Sequence, residues 1–418
     1  MKKFARRLAI FMGLIGFLFV SILAGCEQFG AIPKGVYLEQ ARQSPQYHLE
    51  RDIFINRRPD ILDTMNVGER FFADPFGKQE PNFLFNANQT EPASPLPEEK
   101  NPDLVAFQNS DDAIKFIWLG HSTILLSIEG HVILFDPIFS DHAAPLPIAA
   151  KRFQPPALAL DDLPPIDTII ISHDHYDHLD METVKYFIEK DVAFFAPIGV
   201  GSHLRYWGAR PEKVTELDWW EASEHKGITF TATPSQHFSG RIGVMHNNKT
   251  LWASWVVKGT DQSVYFSGDS GYDTHYKTIG ERLGPFDLIF MENGQYNEAW
   301  KAVHNLPKEA ITAFQDLGGA YLVPVHWGMF NLSVHNWYDP PNEITRLAKE
   351  EDIQLITPRL GQLISLDNPP LYDQWWLEMI DKDISAEQMG HQPDHDSDYD
   401  SGHDSGPIAG HQGHSHNH

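Results

Sequence analysis

The residues best equipped for chemistry lie in one run, Ser172-His173-Asp174-His175-Tyr176-Asp177-His178-Leu179-Asp180, which follows the apolar Ile169-Ile170-Ile171 and precedes a segment of helical character. A His-x-His-x-Asp-His string at a strand end points alternate side chains in opposite directions, so two metal ions a few ångström apart can each receive part of the set. Gathering three imidazoles and two carboxylates into six residues is costly without a cation to hold, which favours a metal centre over a loop that binds nothing.

Such a run needs a scaffold. β-Rich segments at residues 114–119, 123–128 and 132–135, with Glu129-Gly130 as a turn of hairpin length, predict an antiparallel meander. Further strands are predicted at 168–172, 228–233, 252–257, 264–267, 288–291 and 321–325. Helices are predicted near 181–190, 307–317 and 343–350, with Pro307 suited to a first helical turn. Strands first and helices between the later strands imply sheets covered by helices on their outer faces, an α/β (α+β) body over residues 113–370 with a C-terminal extension over 371–390. Residues 26–112, rich in Pro, Asn, Gln and aromatics, predict an irregular arm that wraps this body. No internal repeat of fixed period is present.

The 418 residues are 42% hydrophobic and 21% charged, the composition of a globular enzyme-sized chain. Acidic residues number 57 against 32 basic, a formal charge of −25 that repels phosphate backbones and disfavours a nucleic-acid partner. The single cysteine, Cys26, excludes an intrachain disulfide, a Cys-rich zinc module and a Cys/His nucleophilic pair. Residues 1–25 have the basic start and apolar run of a secretory signal, and Leu23-Ala24-Gly25-Cys26 resembles the lipobox at which bacterial lipoproteins are cut and lipidated. An uncleaved transmembrane anchor is the alternative, although the apolar run is short for a span. Cleavage would remove four positive charges and leave −29, and Glu27 in place of an Asp after the cysteine favours outer-membrane attachment. The export route stays open. Residues 391–418 carry seven His and five Asp with almost no apolar side chains, which predicts a disordered tail that either gathers metal or keeps the chain soluble.

The His-x-His-x-Asp-His string is the signature of the metallo-β-lactamase fold, and the chain resembles that superfamily. The resemblance implies a four-layer αββα sandwich with a binuclear metal site at one edge of the sheets. It also supplies the remaining ligands in chain order, each at the end of a predicted strand: His237, Asp269 and His326. On that pattern His173, His175 and His237 hold one metal, Asp177, His178 and His326 hold the other, and Asp269 bridges them. Two Zn2+ ions suit imidazole and carboxylate donors best, with iron and manganese open as alternatives. A lactamase with a cysteine ligand is excluded, since Cys26 lies far from these motifs.

Blocks outside the ligands resemble the N-acylphosphatidylethanolamine-hydrolysing phospholipase D family: Phe135-Asp-Pro-Ile-Phe-Ser, Leu163-Pro-Pro-Ile-Asp, Glu216-Leu-Asp-Trp-Trp-Glu, Leu251-Trp-Ala-Ser-Trp and Gly284-Pro-Phe-Asp-Leu. This resemblance implies a zinc-dependent phosphodiesterase in which a metal-bridging hydroxide cleaves the headgroup-side P–O bond and releases N-acylethanolamine and phosphatidic acid. Catalytic roles are expected for Asp177, Asp269 and His304, and supporting or substrate-facing places for Asp136, His121 and Tyr272, with an ordinary surface histidine the alternative for His304 and a structural one for His121. The segment 292–304 matches only loosely, which leaves the acyl and headgroup specificity open. Trp219, Trp220, Trp252, Trp255, Phe330, Trp337 and Tyr338 either line an acyl groove or belong to the core.

The implied partners are a phospholipid or lipid-like substrate and, through lipidated Cys26, a membrane. A lactonase or other acyl hydrolase would use the same fold and metals. A non-enzymatic envelope metal-binding lipoprotein is the alternative from another class, although a storage site has no need of a bridging carboxylate.

Overall fold

The computed structural model describes residues 27–65, 88–109, 113–147, 149–242 and 246–380. The expected leader 1–25, Cys26, the end of the C-terminal extension and the tail 391–418 lie outside the described residues, as do 66–87 of the arm.

Alternation along the strands builds the layers. Phe116, Trp118, Leu126, Ile133 and Phe135 of one sheet meet Phe230, Trp255, Phe266, Phe290 and Val323 of the other in a shared core. The side chains between them, such as Ile117, Leu125, Leu134 and Ile169, point the opposite way and pack beneath the helix Met181–Phe187. On the far side Val256, Tyr265, Ile289 and Leu322 do the same beneath the helices His275–Leu283, Pro307–Leu317 and Asp339–Glu350. Because successive strand residues face opposite layers, both faces of each sheet are buried and the result is a four-layer αββα sandwich. Phe116 meets Phe290 edge-on at 5.1 Å and Phe135 packs on Phe266 at 4.8 Å, fastening the sheets together.

Among the described residues each large sheet has seven strands. The first runs Leu363–Ser365, Lys115–Trp118, Ile124–Ile128, His131–Phe135, Thr168–Ile170, Ala193–Pro197, Val214–Leu217. The second runs Gln354–Leu355, Gly319–Val325, Phe286–Glu292, Ser263–Phe266, Ser254–Lys258, Ile228–Thr233, Ala222–His225. The meander over 115–135 is antiparallel as its sequence predicts, and His131–Phe135, Thr168–Ile170 and Ala193–Pro197 then pair in parallel. Parallel strands end on one edge, and this edge carries the chemistry.

The described residues of the arm include the short helices Val36–Ala41 and Leu104–Gln108 and pack on the body. The arm's ribbon Tyr47–His48 with Ile53–Phe54 reaches the loop before Ser254–Lys258, where Phe54 N–H donates to Asn248 O at 2.7 Å and Lys249 Nζ to Asp52 O at 2.6 Å. The extension also belongs to the body: Trp375 and Trp376 are buried against Trp327. Of the aromatic residues left between groove and core, Trp219, Trp252, Trp255, Phe330 and Trp337 are buried in the core, with Trp220 and Tyr338 packed against it. Among the described residues no helix is long and apolar enough to cross a membrane.

Candidate metal centre

Four strand ends and one turn deliver the donors. His173 follows Thr168–Ile170, His237 follows Ile228–Thr233, Asp269 follows Ser263–Phe266, and His326 follows Gly319–Val325. The turn after Lys115–Trp118 brings His121, whose backbone exchanges hydrogen bonds with Trp327 O and His326 N at 2.9 and 3.0 Å and so stitches the two sheets at the site. His121, Asp136 and His326 have φ of 51°, 36° and 70°, the left-handed region that L residues seldom adopt. Each such residue costs about 1–3 kcal/mol, and strain of this kind collects where geometry is held for function.

The donor atoms form two groups. His173 Nε2 and His237 Nε2 lie 3.0 and 3.2 Å from His175 Nδ1. Asp177 Oδ2 lies 3.3 Å from both His178 Nε2 and His326 Nε2. Between the groups, Asp269 Oδ2 is 3.2 Å from His178 Nε2 and His326 Nε2, and 3.6 and 3.8 Å from His237 Nε2 and His173 Nε2. The three sets match the division implied by the resemblance, with Asp269 facing both sides.

On His178, His173 and His237 the other ring nitrogen is tied back. Asp136 accepts from Ser172 N–H and from His178 Nδ1–H, both at 2.7 Å, and from the Ser172 hydroxyl. That hydroxyl, having spent its proton on Asp136, accepts His173 Nδ1–H at 2.9 Å. His237 Nδ1–H donates to Val303 O at 3.1 Å. Each of these bonds fixes a tautomer with the Nε2 lone pair turned inward, the arrangement a metal ligand needs. His121 Nε2–H donates to Asp177 Oδ2 at 2.9 Å, so His121 positions that carboxylate.

Cations fit this donor set. His178 Nε2 and Asp269 Oδ1 are buried without a hydrogen-bond partner among the described residues. Burial works against charge throughout the site, yet the neighbouring imidazoles hold Asp177 and Asp269 well below the usual carboxylate range. On the histidines burial opposes protonation, but Asp269 and Asp177 outweigh it and raise His178 well above its ordinary value and His326 to about 9. Burial, with the other histidines nearby, pushes His173 and His237 well down. Buried carboxylates on this scale are answered either by protons on the rings or by divalent cations, and cations satisfy every inward lone pair at once.

Chelation is therefore expected to unfold the protein at lower temperature. Metal at 1,000 times its dissociation constant contributes about 4 kcal/mol, or a melting-temperature shift of about 8–16 °C for a domain of this size. Scanning calorimetry before and after EDTA, followed by zinc add-back, measures it; an unchanged transition would mean the cluster holds no metal.

His304 lines the groove over the centre, stacked on His326 at 5.2 Å with its Nδ1 3.3 Å from Glu292 Oε2. Tyr272 does not line the groove: its hydroxyl donates to Asp316 Oδ2 at 2.7 Å, on the helix Pro307–Leu317. This corrects the supporting or substrate role expected for Tyr272. Two residues escape sequence reasoning. Glu292, fully buried, takes His304 and Asn305 N–H, and burial raises its pKa. Asn56 of the arm clamps the His237 backbone, donating to its O at 2.8 Å and accepting its N–H at 3.1 Å. A lone glutamate closing an apolar strand was the only local signal for the first, and none existed for the second.

A groove of about 350 Å3 opens on the donors and is walled by Met65, Phe238, Trp300, Val303 and Leu332. These, rather than the tryptophans singled out from the sequence, are its apolar lining.

Residues 131–327 match the model of the beta-lactamase superfamily domain. The chain is 39% identical over 343 residues to an uncharacterized protein of Mycobacterium tuberculosis, covering 80% of this chain and 88% of that one. It is 35% identical over 273 residues to N-acyl-phosphatidylethanolamine-hydrolyzing phospholipase D 1 of Caenorhabditis elegans, covering 61% of this chain and 76% of that one. The chain belongs to this phospholipase D-like family of the metallo-β-lactamase superfamily. It is a metal-dependent hydrolase, and its fold implies divalent metal binding, for which the His/Asp clusters described above are candidates. A shorter stretch of 101 residues is 46% identical to the outer membrane protein RomA of Klebsiella pneumoniae, 24% of this chain and 75% of that one.

Proposed function

We propose that this hydrolase is a zinc-dependent phosphodiesterase of phospholipase D type, acting on N-acylphosphatidylethanolamine or a closely similar lipid diester. The observation that carries the reading is the apolar groove opening directly onto His175, Asp177, His237, Asp269, His304 and His326. A lipid diester needs both halves: apolar walls for a chain, and concentrated positive charge for the phosphate.

His173, His175 and His237 would hold one zinc ion and Asp177, His178 and His326 the other, with Asp269 facing both, and ions bound there would supply that charge and acidify water near neutral pH. The protein does the rest. Asp136 and His121 hold His178 and Asp177 in place, so that the site need not reorganise as charge develops on the phosphoryl oxygens. Phe238 and Trp300 keep bulk water from the groove, which strengthens every electrostatic contact within it. Glu292 takes the Nδ1 side of His304 and leaves Nε2 to face the groove, within reach of a phosphoryl or leaving-group oxygen.

Lipidation of Cys26 and attachment to the outer membrane complete the proposal, since a tether of this kind holds the groove beside its substrate. Similarity to an outer membrane protein supports that placement.

The test is hydrolysis of N-acylphosphatidylethanolamine in mixed micelles by the zinc-loaded protein, beside Asp269→Asn, with products separated by mass. N-acylethanolamine and phosphatidic acid are expected from the wild type alone. Their absence from a protein that demonstrably binds two zincs would overturn the substrate assignment and bring lactones forward.

A further inference from the structure

The metal-ligand loop is held from behind by the five residues Glu27–Ala31. Arg241, 3% exposed, donates through Nη1 to Asp174 O and Leu179 O at 2.8 and 2.9 Å, spanning both ends of the loop that carries His175, Asp177 and His178. Its Nε donates to Gln28 O at 2.9 Å, and its guanidinium lies over the Tyr176 ring at 3.9 Å. Trp207 Nε1–H donates to Glu27 O at 2.9 Å. Ala31 N–H donates to His203 Nδ1 at 3.1 Å.

The last bond has a consequence for the far side of His203. A ring whose Nδ1 accepts from a backbone N–H must carry its proton on Nε2, and His203 Nε2–H then donates to Asp174 Oδ2 at 3.1 Å. His203 is fully buried, so neither bond is replaced by water. Asp174 stands between the ligands His173 and His175.

We infer that the segment Glu27–Ala31 is a positioning element of the metal centre: it sets the His203 tautomer and pins Arg241, and through them it fixes the loop bearing His175, Asp177 and His178. The inference rests on the metal centre and not on the choice of substrate. It makes the five residues that follow Cys26 part of the site's machinery rather than a spacer.

Gly30 offers a test that touches no ligand. Its φ is +65°, and an added Cβ would collide with the His203 ring and press on Trp207. Gly35 has a similar φ of +56° with nothing within 4 Å of an added Cβ. Gly30→Ala and Gly35→Ala both put a side chain at positive φ, and only the first disturbs His203.

Zinc affinity is read by competition with a chelating dye on the full chain, together with the imidazole 15N shifts of His203. Gly30→Ala is expected to raise the zinc dissociation constant about tenfold or more, the usual effect of disturbing a metal's outer partners, and to lose the Nε2–H signature. Gly35→Ala is expected to stay within about twofold of wild type. Equal zinc affinity in the two variants would overturn the inference. Should Gly30→Ala fail to fold, Trp207→Phe, which removes the bond to Glu27 O and trims the ring packed against His203 and Arg241, is expected to weaken zinc at least about threefold, and an unchanged constant there overturns it equally. Since the readout is zinc alone, it stands whether or not the lipid assay succeeds.

Discussion

Asp269→Asn is expected to lower phosphodiester hydrolysis by about 10²–10³-fold or more while leaving the circular dichroism spectrum unchanged. Asp269 Oδ2 sits within 3.2–3.8 Å of four imidazole nitrogens, a position no other side chain can fill. The amide is nearly isosteric but removes a full negative charge from between the two groups of donors. It also offers N–H donors where lone pairs are required, so zinc content measured after dialysis should fall from two per chain toward one. Activity loss and metal loss must appear together, because the carboxylate acts by holding the pair. Tyr272→Phe supplies the contrast: its hydroxyl is committed to Asp316, and turnover should stay within about twofold of wild type. A variant at Asp269 that keeps two zincs and a tenth of the activity would remove this residue from the centre.

How much of this was legible beforehand depended on whether the information was local. The run His173 to His178 declares itself because its ligands are spaced one or two residues apart at a strand end. His237, Asp269 and His326 were legible through the resemblance, which put each at the end of a predicted strand, and the structure brings them to one edge because those strands share a sheet. The structure also puts Asp136 where its motif placed it, as the acceptor for His178. What local pattern could not give was contact across long separations. Asn56 and His237 are 181 residues apart, and nothing in the composition of the arm marks that asparagine. Glu292 gains its role only when the chain returns with His304 and Asn305.

Strands and helices were missed for equally physical reasons. Ala222–His225 is polar and half-exposed, so it carries no apolar alternation. Ala193–Pro197 ends in a proline, which reads as a breaker although the residue closes the strand. The helix His275–Leu283 contains Gly280, a weak helix former, but that glycine lies against the Asp316 carbonyl, where a side chain would not fit, and close packing decides the matter over propensity. The tryptophans illustrate the opposite limit: their type suits a groove or a core equally, and only the layering buries them.

Asp174→Ala is expected to cost about 3–5 kcal/mol of stability, although the residue lies inside the ligand run and faces no metal donor. Its carboxylate accepts from Gly240 N–H at 2.7 Å, from the Thr250 hydroxyl at 2.9 Å and from His203 Nε2–H at 3.1 Å, and it is 1% exposed. These bonds, and His203 in particular, hold its pKa well below the ordinary carboxylate value despite burial, which works the other way. Alanine leaves three buried donors without an acceptor, each worth about 1–3 kcal/mol, and opens a small void. Asparagine separates hydrogen bonding from volume. Its carbonyl can keep Gly240 and the Thr250 hydroxyl can rotate, but its amide confronts His203 Nε2–H with a second donor. The ring cannot escape by exchanging tautomers, since its Nδ1 is taken by Ala31. Asp174→Asn should therefore fall between wild type and alanine, at about 1–3 kcal/mol, and His203→Gln in that background should recover part of it by supplying an acceptor to the amide. Thermal denaturation of the single and double variants, each stripped of metal so that zinc affinity does not enter, measures the coupling. If Asp174→Asn melts with wild type, the tautomer lock on His203 is absent, and the loop owes its position to Arg241 alone.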